Sequence, residues 1–201
     1  MNSLFDFIVE PVGQRYNNEI KVGDKSLVIN TKLETFKSVN NIAKVISIPK
    51  AFKTPIKPGD LIMIHHNVFR RFYDMKGREK NSRAFFKDNL YFVQIDQVYL
   101  YKPQEKWLSF GDRCFLAPIK DFNEVDTGLE QKLIGILKYG NSALEALGIN
   151  EGDLVGFRPF GEFDFVVEGK RLYCMKSNDI VIKYEHQGNE VEYNPSWAQS
   201  G

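Results

Sequence analysis

Cysteine is nearly absent from this chain: Cys114 and Cys174 are the only two in 201 residues. Both stand in apolar, strand-like runs, where a cysteine is most often a small buried hydrophobe. Two cysteines without a secretory signal point to a reducing compartment rather than a disulfide framework. Met1-Asn2-Ser3-Leu4-Phe5-Asp6 has neither the basic start nor the apolar run of such a signal. No stretch approaches the ~20 apolar residues of a membrane helix, so the expectation is a cytoplasmic protein with no membrane partner. An excess of one charge is missing too. The 27 lysines and arginines against 26 acids leave a net +1, which gives no overall drive toward nucleic acid or an anionic surface. Histidine is scarce, with three in all. His65 and His66 are adjacent, so in a strand they point to opposite faces and cannot share a metal, and His186 is isolated. No His-Glu-x-x-His, Cys-x-x-Cys, Gly-x-Ser-x-Gly or phosphate-loop pattern occurs. The expectation is therefore no catalytic residue, no metal, no cofactor and no enzymatic activity.

What the chain does have is a pattern stated twice. Ile56-Lys57-Pro58-Gly59-Asp60-Leu61-Ile62-Met63-Ile64 returns as Ile149-Asn150-Glu151-Gly152-Asp153-Leu154-Val155-Gly156-Phe157. Downstream, Leu90-Tyr91-Phe92-Val93 and Val98-Tyr99-Leu100 are matched by Leu172-Tyr173-Cys174-Met175 and Ile180-Val181-Ile182. Upstream, Phe7-Ile8-Val9-Glu10-Pro11 is echoed by Cys114-Phe115-Leu116-Ala117-Pro118, and Ile42-Ala43-Lys44-Val45-Ile46 by Leu133-Ile134-Gly135-Ile136-Leu137. A period of roughly 90 residues means two copies of a small domain rather than a solenoid of short units.

Composition agrees: 43% hydrophobic and 26% charged residues describe an ordinary globular chain. Runs such as Leu61–Ile64, Phe163–Val167 and Ile180–Tyr184 are β-branched and aromatic, bounded by Gly, Pro, Asn or Asp, and read as short strands. The one good helix signal is Ser142–Leu147, opened by Asn141 and closed by Gly148. The fold class expected is all-β, two tandem small barrels with little helix, because closure removes exposed edges in so small a sheet. The boundaries predicted are a barrel over 1–103, a second over 104–187, and a polar tail over 188–201.

The order of these pieces resembles the GroES-type co-chaperonins. The clearest stretch is Glu151-Gly152-Asp153-Leu154-Val155, then the hairpin Val167-Glu168-Gly169-Lys170-Arg171-Leu172-Tyr173, then Ser177-Asn178-Asp179-Ile180-Val181-Ile182. The first copy carries a looser version, Ile95-Asp96-Gln97-Val98-Tyr99-Leu100, and the resemblance spans most of residues 5–187. It implies two GroES-like barrels in a homo-oligomeric ring that caps an ATP-driven, GroEL-type chaperonin and encloses an unfolded client protein.

That family reaches its chaperonin with a mobile loop bearing an aliphatic triplet. Between Pro11 and Ile42 lies a polar, turn-rich segment of about 30 residues, roughly twice as long as the gap from Pro118 to Leu133 in the second copy. Within it stands one apolar cluster, Leu27-Val28-Ile29, where the resemblance places the chaperonin-binding residues. Burying three aliphatic side chains is worth about 1.5–3 kcal/mol each, against an ordering cost of about 1–2 kcal/mol per fixed residue. One loop alone binds feebly, and several on one ring bind together and still release. The alternative is a buried strand, or a hairpin with Val22. The second copy has only isolated Phe122, Val125 and Leu129 in this place, so the role is not carried over to it. Pro49–Pro55 is too short for a long roof hairpin, which implies an open dome. Seven chains in two barrel tiers would match a sevenfold partner if only the first copy binds.

A rival lies in Phe69–Lys87. Arg70, Arg71, Lys76, Arg78, Lys80, Arg83 and Lys87 are interleaved with Phe69, Phe72, Tyr73, Phe85 and Phe86, against only Asp74 and Glu79. Basic residues among aromatics suit single-stranded nucleic acid. The blander reading is a solvated hairpin whose aromatics pack back onto the barrel, and it is preferred over nucleic acid because so many aromatics are rarely left exposed. A non-chaperone assembly module, such as a viral structural protein, is the remaining alternative.

Overall fold

The computed structural model describes residues 2–16, 19–22, 25–28, 39–121 and 130–200, with backbone alone for 19–22, 25–28 and 199–200. Among the described residues the structure is all-β apart from one short α-helix and a few 3₁₀ turns, and the chain divides into two units, Met1–Trp107 and Leu108–Gly201. The first unit holds β1 (Phe7–Pro11), β2 (Glu19–Val22), β3 (Lys25–Val28), β4 (Ile42–Ser47), β5 (Leu61–Ile64), β6 (Arg71–Tyr73), β7 (Glu79–Asn81), β8 (Phe85–Lys87), β9 (Leu90–Val93) and β10 (Val98–Lys102). The second holds β11 (Leu108–Ser109), β12 (Arg113–Lys120), β13 (Glu130–Tyr139), α1 (Ser142–Ala146), β14 (Leu154–Phe157), β15 (Phe163–Val167), β16 (Lys170–Lys176) and β17 (Ile180–Tyr184). The boundary falls after Trp107 rather than after residue 103. Trp107 is buried, with the Lys102 ammonium 5.5 Å from its ring centroid, and this keeps Pro103–Lys106 inside the first unit. No helix among the described residues is long and apolar enough to cross a membrane.

The two units repeat one topology. Strands of the first run in the order β8-β9-β1-β4-β5-β10, and those of the second in the order β15-β16-β12-β13-β14-β17. The match extends to register. Val9 faces Val45 and Tyr91, as Leu116 faces Leu137 and Tyr173. A bulge follows Ile8 in β1 and Phe115 in β12, and another interrupts β10 and β17 at equivalent places. Bulges re-aim a strand, so their recurrence bends both sheets in the same way.

The repeated Gly-Asp step is a tight turn built identically in both units. Asp60 Oδ2 accepts the Lys57 N–H at 2.8 Å, and Asp153 Oδ2 accepts the Asn150 N–H at 2.8 Å. Gly59 and Gly152 take φ of +96° and +93°, and their N–H groups donate to Val45 and Leu137 at 2.7 Å. The left-handed φ requires glycine, and the Asx-type bond requires aspartate, which is why this dipeptide is the clearest part of the repeat.

Register corrects one expected match. Ala43 and Lys44 correspond to Gly135 and Ile136, so Ile42 pairs in role with Ile134, one residue later than the apolar pattern suggests. A one-residue slip exchanges the faces of a strand. Gly135 sits where a Cβ would come within 2.8 Å of the Ala117 carbonyl, and Leu133 before it takes a φ of +61°.

The core of the second unit is Cys114, Leu116, Leu137, Leu144, Val155, Phe157, Tyr173 and Met175, with Ile149 and Ile180 packed against it. The first unit buries Phe7, Val9, Val45, Ile62, Ile64, Tyr91, Val93 and Val98 at the equivalent strand positions. Each sheet wraps one face around such a core, yet among the described residues neither is hydrogen-bonded closed into a barrel. Leu144 of α1 and Ile149 supply core side chains from outside the sheet, so side-chain packing completes the unit where full closure was expected. Helix α1 falls where the sequence predicts it, and Asn141 Oδ1 accepts from Ala143 and Leu144 N–H.

Of the expected polar tail over 188–201, the described residues 188–200 are not free. Lys120 N–H donates to Val191 O and Tyr193 N–H to Pro118 O, both at 2.8 Å, so the segment extends the sheet beside the end of β12. It is fastened by Arg171, whose guanidinium pairs with Glu130 and Asp164 and lies over the rings of Tyr173 and Trp197. Asn194 accepts the Arg171 backbone N–H and donates to Gly169 O, and Ala198 is fully buried. Both cysteines are free and buried. Cys114 stands opposite Met175 and Cys174 opposite Phe115, so the pleat sends the two thiols to opposite faces of one sheet.

Candidate functional site

The expanded segment of the first unit leaves β1 and returns to β4 through a clamped stem. Asn40, 8% exposed, donates from Nδ2 to Val12 O at 2.7 Å and Gln14 O at 2.9 Å, and its Oδ1 accepts the Ile42 N–H at 2.8 Å. Val12 N–H reaches Ile42 O and Asn40 N–H reaches Arg15 O, while Tyr16 and Val39 form a bridge and are both buried. One short amide thus holds both legs of the stem, a use of asparagine that composition alone does not disclose.

Beyond the stem, β2 and β3 form an antiparallel hairpin with Val22 opposite Lys25, Ile20 opposite Leu27 and Glu19 opposite Val28. Among the described residues this pair joins neither large sheet. Leu27 and Val28 therefore lie on β3, and Ile29 lies outside the described residues. The backbone here is a hairpin, but Val22 pairs with Lys25 and not with the aliphatic run. The second unit has no such excursion among its described residues. Its ladder runs on to Lys120 and Glu130, and Phe122, Val125 and Leu129 fall outside the description.

The basic-aromatic segment is the abutment of that stem. Arg15 donates from Nε and Nη2 to Phe69 O at 3.1 and 2.7 Å, and from Nη1 to Asn81 Oδ1 at 2.9 Å. Arg71 N–H donates to the Tyr16 hydroxyl, and its guanidinium lies 4.4 Å from the Tyr16 ring centroid. Phe69 is fully buried edge-on against Tyr91, and Arg15 covers the same Tyr91 ring at 5.3 Å. Burial raises the Tyr91 pKa, with Arg15 and Arg71 opposing it. Residues the sequence presented as two separate features thus share one base, and Arg15, Tyr16 and Asn40 are the side chains that sequence reasoning did not single out as joining them.

The hairpin β6–β7 rises from that base with two different faces. Arg71, Tyr73, Glu79 and Asn81 share one, which meets the stem, and Phe72 stands opposite Lys80 on the other. The carboxylates are engaged inside the hairpin. Asp74 Oδ1 accepts the N–H groups of Lys76 and Arg78 in the turn, and Glu79 pairs with Arg71 at 3.2 Å. Phe72 and Tyr73 are 43% and 48% exposed, Met75 at the tip is fully exposed, and the Arg70 guanidinium lies 5.5 Å from the Phe72 ring centroid. The expected solvated hairpin is present, but only Phe69 and Phe85 of its aromatics turn inward, while Phe86 is 41% exposed beside Lys87 with its ring 4.9 Å from that of Phe92.

His65 and His66 depart from the alternation expected of a strand. They lie past the end of β5, where a 3₁₀ turn over His66–Val68 stacks their rings at 4.4 Å. Burial, then His65 and Arg70, lowers the His66 pKa, so this ring is neutral at pH 7. Among the described residues no group of three or more His, Cys, Asp or Glu side chains could hold a metal ion. No protein-family model matches the chain, and no curated protein matches its sequence.

Proposed function

We propose that the chain is a tandem co-chaperonin. Each unit is a GroES-like barrel in a homo-oligomeric cytoplasmic ring that caps an ATP-driven, GroEL-type chaperonin over an unfolded client, and Leu27, Val28 and Ile29 make the chaperonin contact. The observation that carries this reading is the β2–β3 hairpin, which bears Leu27 and Val28 on a clamped stem and pairs with neither large sheet among the described residues. An extended backbone already paired in a hairpin lowers the ordering cost of laying aliphatic side chains into a partner's groove. The duplicated strand order supports a shared barrel ancestry for both units. End strand β17 exposes Val181, Ile182 and Tyr184, apolar surface of the kind a neighbouring chain in a ring would cover. The two buried free thiols agree with a reducing compartment.

The test is co-sedimentation with a bacterial-type chaperonin, with and without nucleotide. The wild type is expected to be captured in a nucleotide-dependent way, and the Leu27→Ser/Val28→Ser/Ile29→Ser variant to stay in the supernatant while keeping its fold and assembly. Capture of the variant equal to wild type would sink the assignment of the contact to these residues.

A further inference from the structure

We infer that the β6–β7 hairpin is a second docking element that meets the same partner as β2–β3, through an acidic patch bordering the groove that takes the aliphatic residues. This rests on the co-chaperonin reading and adds to it a contact outside the aliphatic hairpin.

Three observations carry it. The first is the common base. Arg15 ties the stem to Phe69 O and Asn81, and Arg71 ties it to Tyr16, so the base of β6–β7 is fastened to the stem from which the aliphatic segment departs. The second is charge. Glu79 is paired with Arg71, and Asp74, bonded to the turn's N–H groups, is the one acid set against exposed Lys76, Arg78 and Lys80, which leaves a positive excess around Phe72 and Met75. Exposed aromatic and methionine side chains next to arginine are the composition of protein-interface centres, whereas a merely solvated hairpin has no use for them. The third is co-occurrence. The second unit lacks the aliphatic triplet, and residues 158–169 there pass from β14 through β15 to β16 with no strand pair between β14 and β15. The inserted hairpin and the aliphatic triplet thus occur together in the first unit, while the second has neither the triplet in its sequence nor a strand pair between β14 and β15.

Charge steering of this kind acts on encounter and weakens with salt. The experiment measures capture of the full-length protein by the nucleotide-bound chaperonin across salt concentrations, for wild type and for two variants. Lys76→Glu/Arg78→Glu/Lys80→Glu is expected to weaken binding at least tenfold at low salt, with the gap closing at high salt. Phe72→Ser/Met75→Ser is expected to weaken binding several-fold at every salt. Equal capture of wild type and both variants would overturn the second contact and leave the co-chaperonin reading standing. Failure of the wild type itself to be captured would overturn both. Salt-sensitive binding of a single-stranded oligonucleotide, lost in the charge variant while chaperonin capture is unchanged, would overturn the inference in favour of nucleic acid.

Discussion

Replacing Asn40 by alanine should destabilise the first unit by about 2 kcal/mol, a large effect for one small side chain. The side chain makes three hydrogen bonds, each worth ~0.5–1.5 kcal/mol net. Val12 and Gln14 are exposed, so water takes over part of what their carbonyls lose, while the Ile42 N–H is half-buried and less easily rehydrated. That places the loss in the lower half of the sum. The assay is urea unfolding followed by Trp107 fluorescence in a Trp197→Phe background, since Trp107 belongs to the first unit and Trp197 to the second. With a urea slope of ~1–3 kcal/mol per molar, the midpoint should fall by about 1 M. Asn40→Asp sharpens the test. Its carboxylate keeps the bond from Ile42 but opposes two carbonyl oxygens where the amide donated, so its folded pKa lies above the unfolded value of ~3.9. A raised carboxyl pKa contributes stability below the unfolded value and loses it as pH rises through the folded one. The aspartate variant should therefore approach wild type on acidification from pH 6 to 4. A loss under about 0.5 kcal/mol for the alanine variant, or a pH-independent aspartate variant, would refute the clamp.

The buried thiols and the Arg171 hub give two further tests. Burial pushes Cys114 and Cys174 up to about 12, so an aromatic disulfide reagent should label neither in the native protein and both in urea. With unfolded thiols near ~8.5, that stabilisation is complete below pH ~8.5 and is lost as pH rises toward 12. Wild type should accordingly lose more stability between pH 9 and 11 than Cys114→Ala/Cys174→Ala, and parallel losses would count against the assignment. Arg171→Met should leave Glu130 and Asp164 without their cation and cost about 1–2 kcal/mol, discounted because both acids are partly exposed. Amide exchange at Lys120 and Tyr193 should quicken in that variant, and unchanged exchange there would show that Arg171 does not fasten the C-terminal segment.

The duplication was legible because its strongest signals are backbone requirements. A glycine at positive φ followed by a turn-closing aspartate must be spelled the same way in both copies, whereas a core position accepts any apolar side chain of suitable volume. For that reason Gly59-Asp60 and Gly152-Asp153 aligned correctly, and the runs at Ile42 and Leu133 aligned one residue out. Strand identity, the helix at Ser142 and the burial of both cysteines followed from local pattern. The packing of residues 188–200 did not, because its partners Arg171, Lys138 and Pro118 are distant in the chain and its own composition is polar. Barrel closure was expected from edge avoidance, a general tendency that says nothing of which side chains fill a particular seam. The aliphatic run Leu27-Val28-Ile29 was visible as composition, while the stem that carries it depends on a contact between Arg15 and a carbonyl at Phe69 that no spacing announces.

Two units of one topology in a single chain face a hazard during synthesis, since the strands of either have a potential home in the other. Here three of the equivalent core positions hold side chains of unlike size or shape: Phe7 against Cys114, Ile64 against Phe157, Val93 against Met175. An exchanged strand would bring a ring into a thiol's space or leave a void where a ring belongs, and either error destabilises by several times the thermal energy. Divergence between the copies thus works as proofreading, allowing a nascent chain to sort its strands by volume even where hydrogen bonding cannot tell them apart.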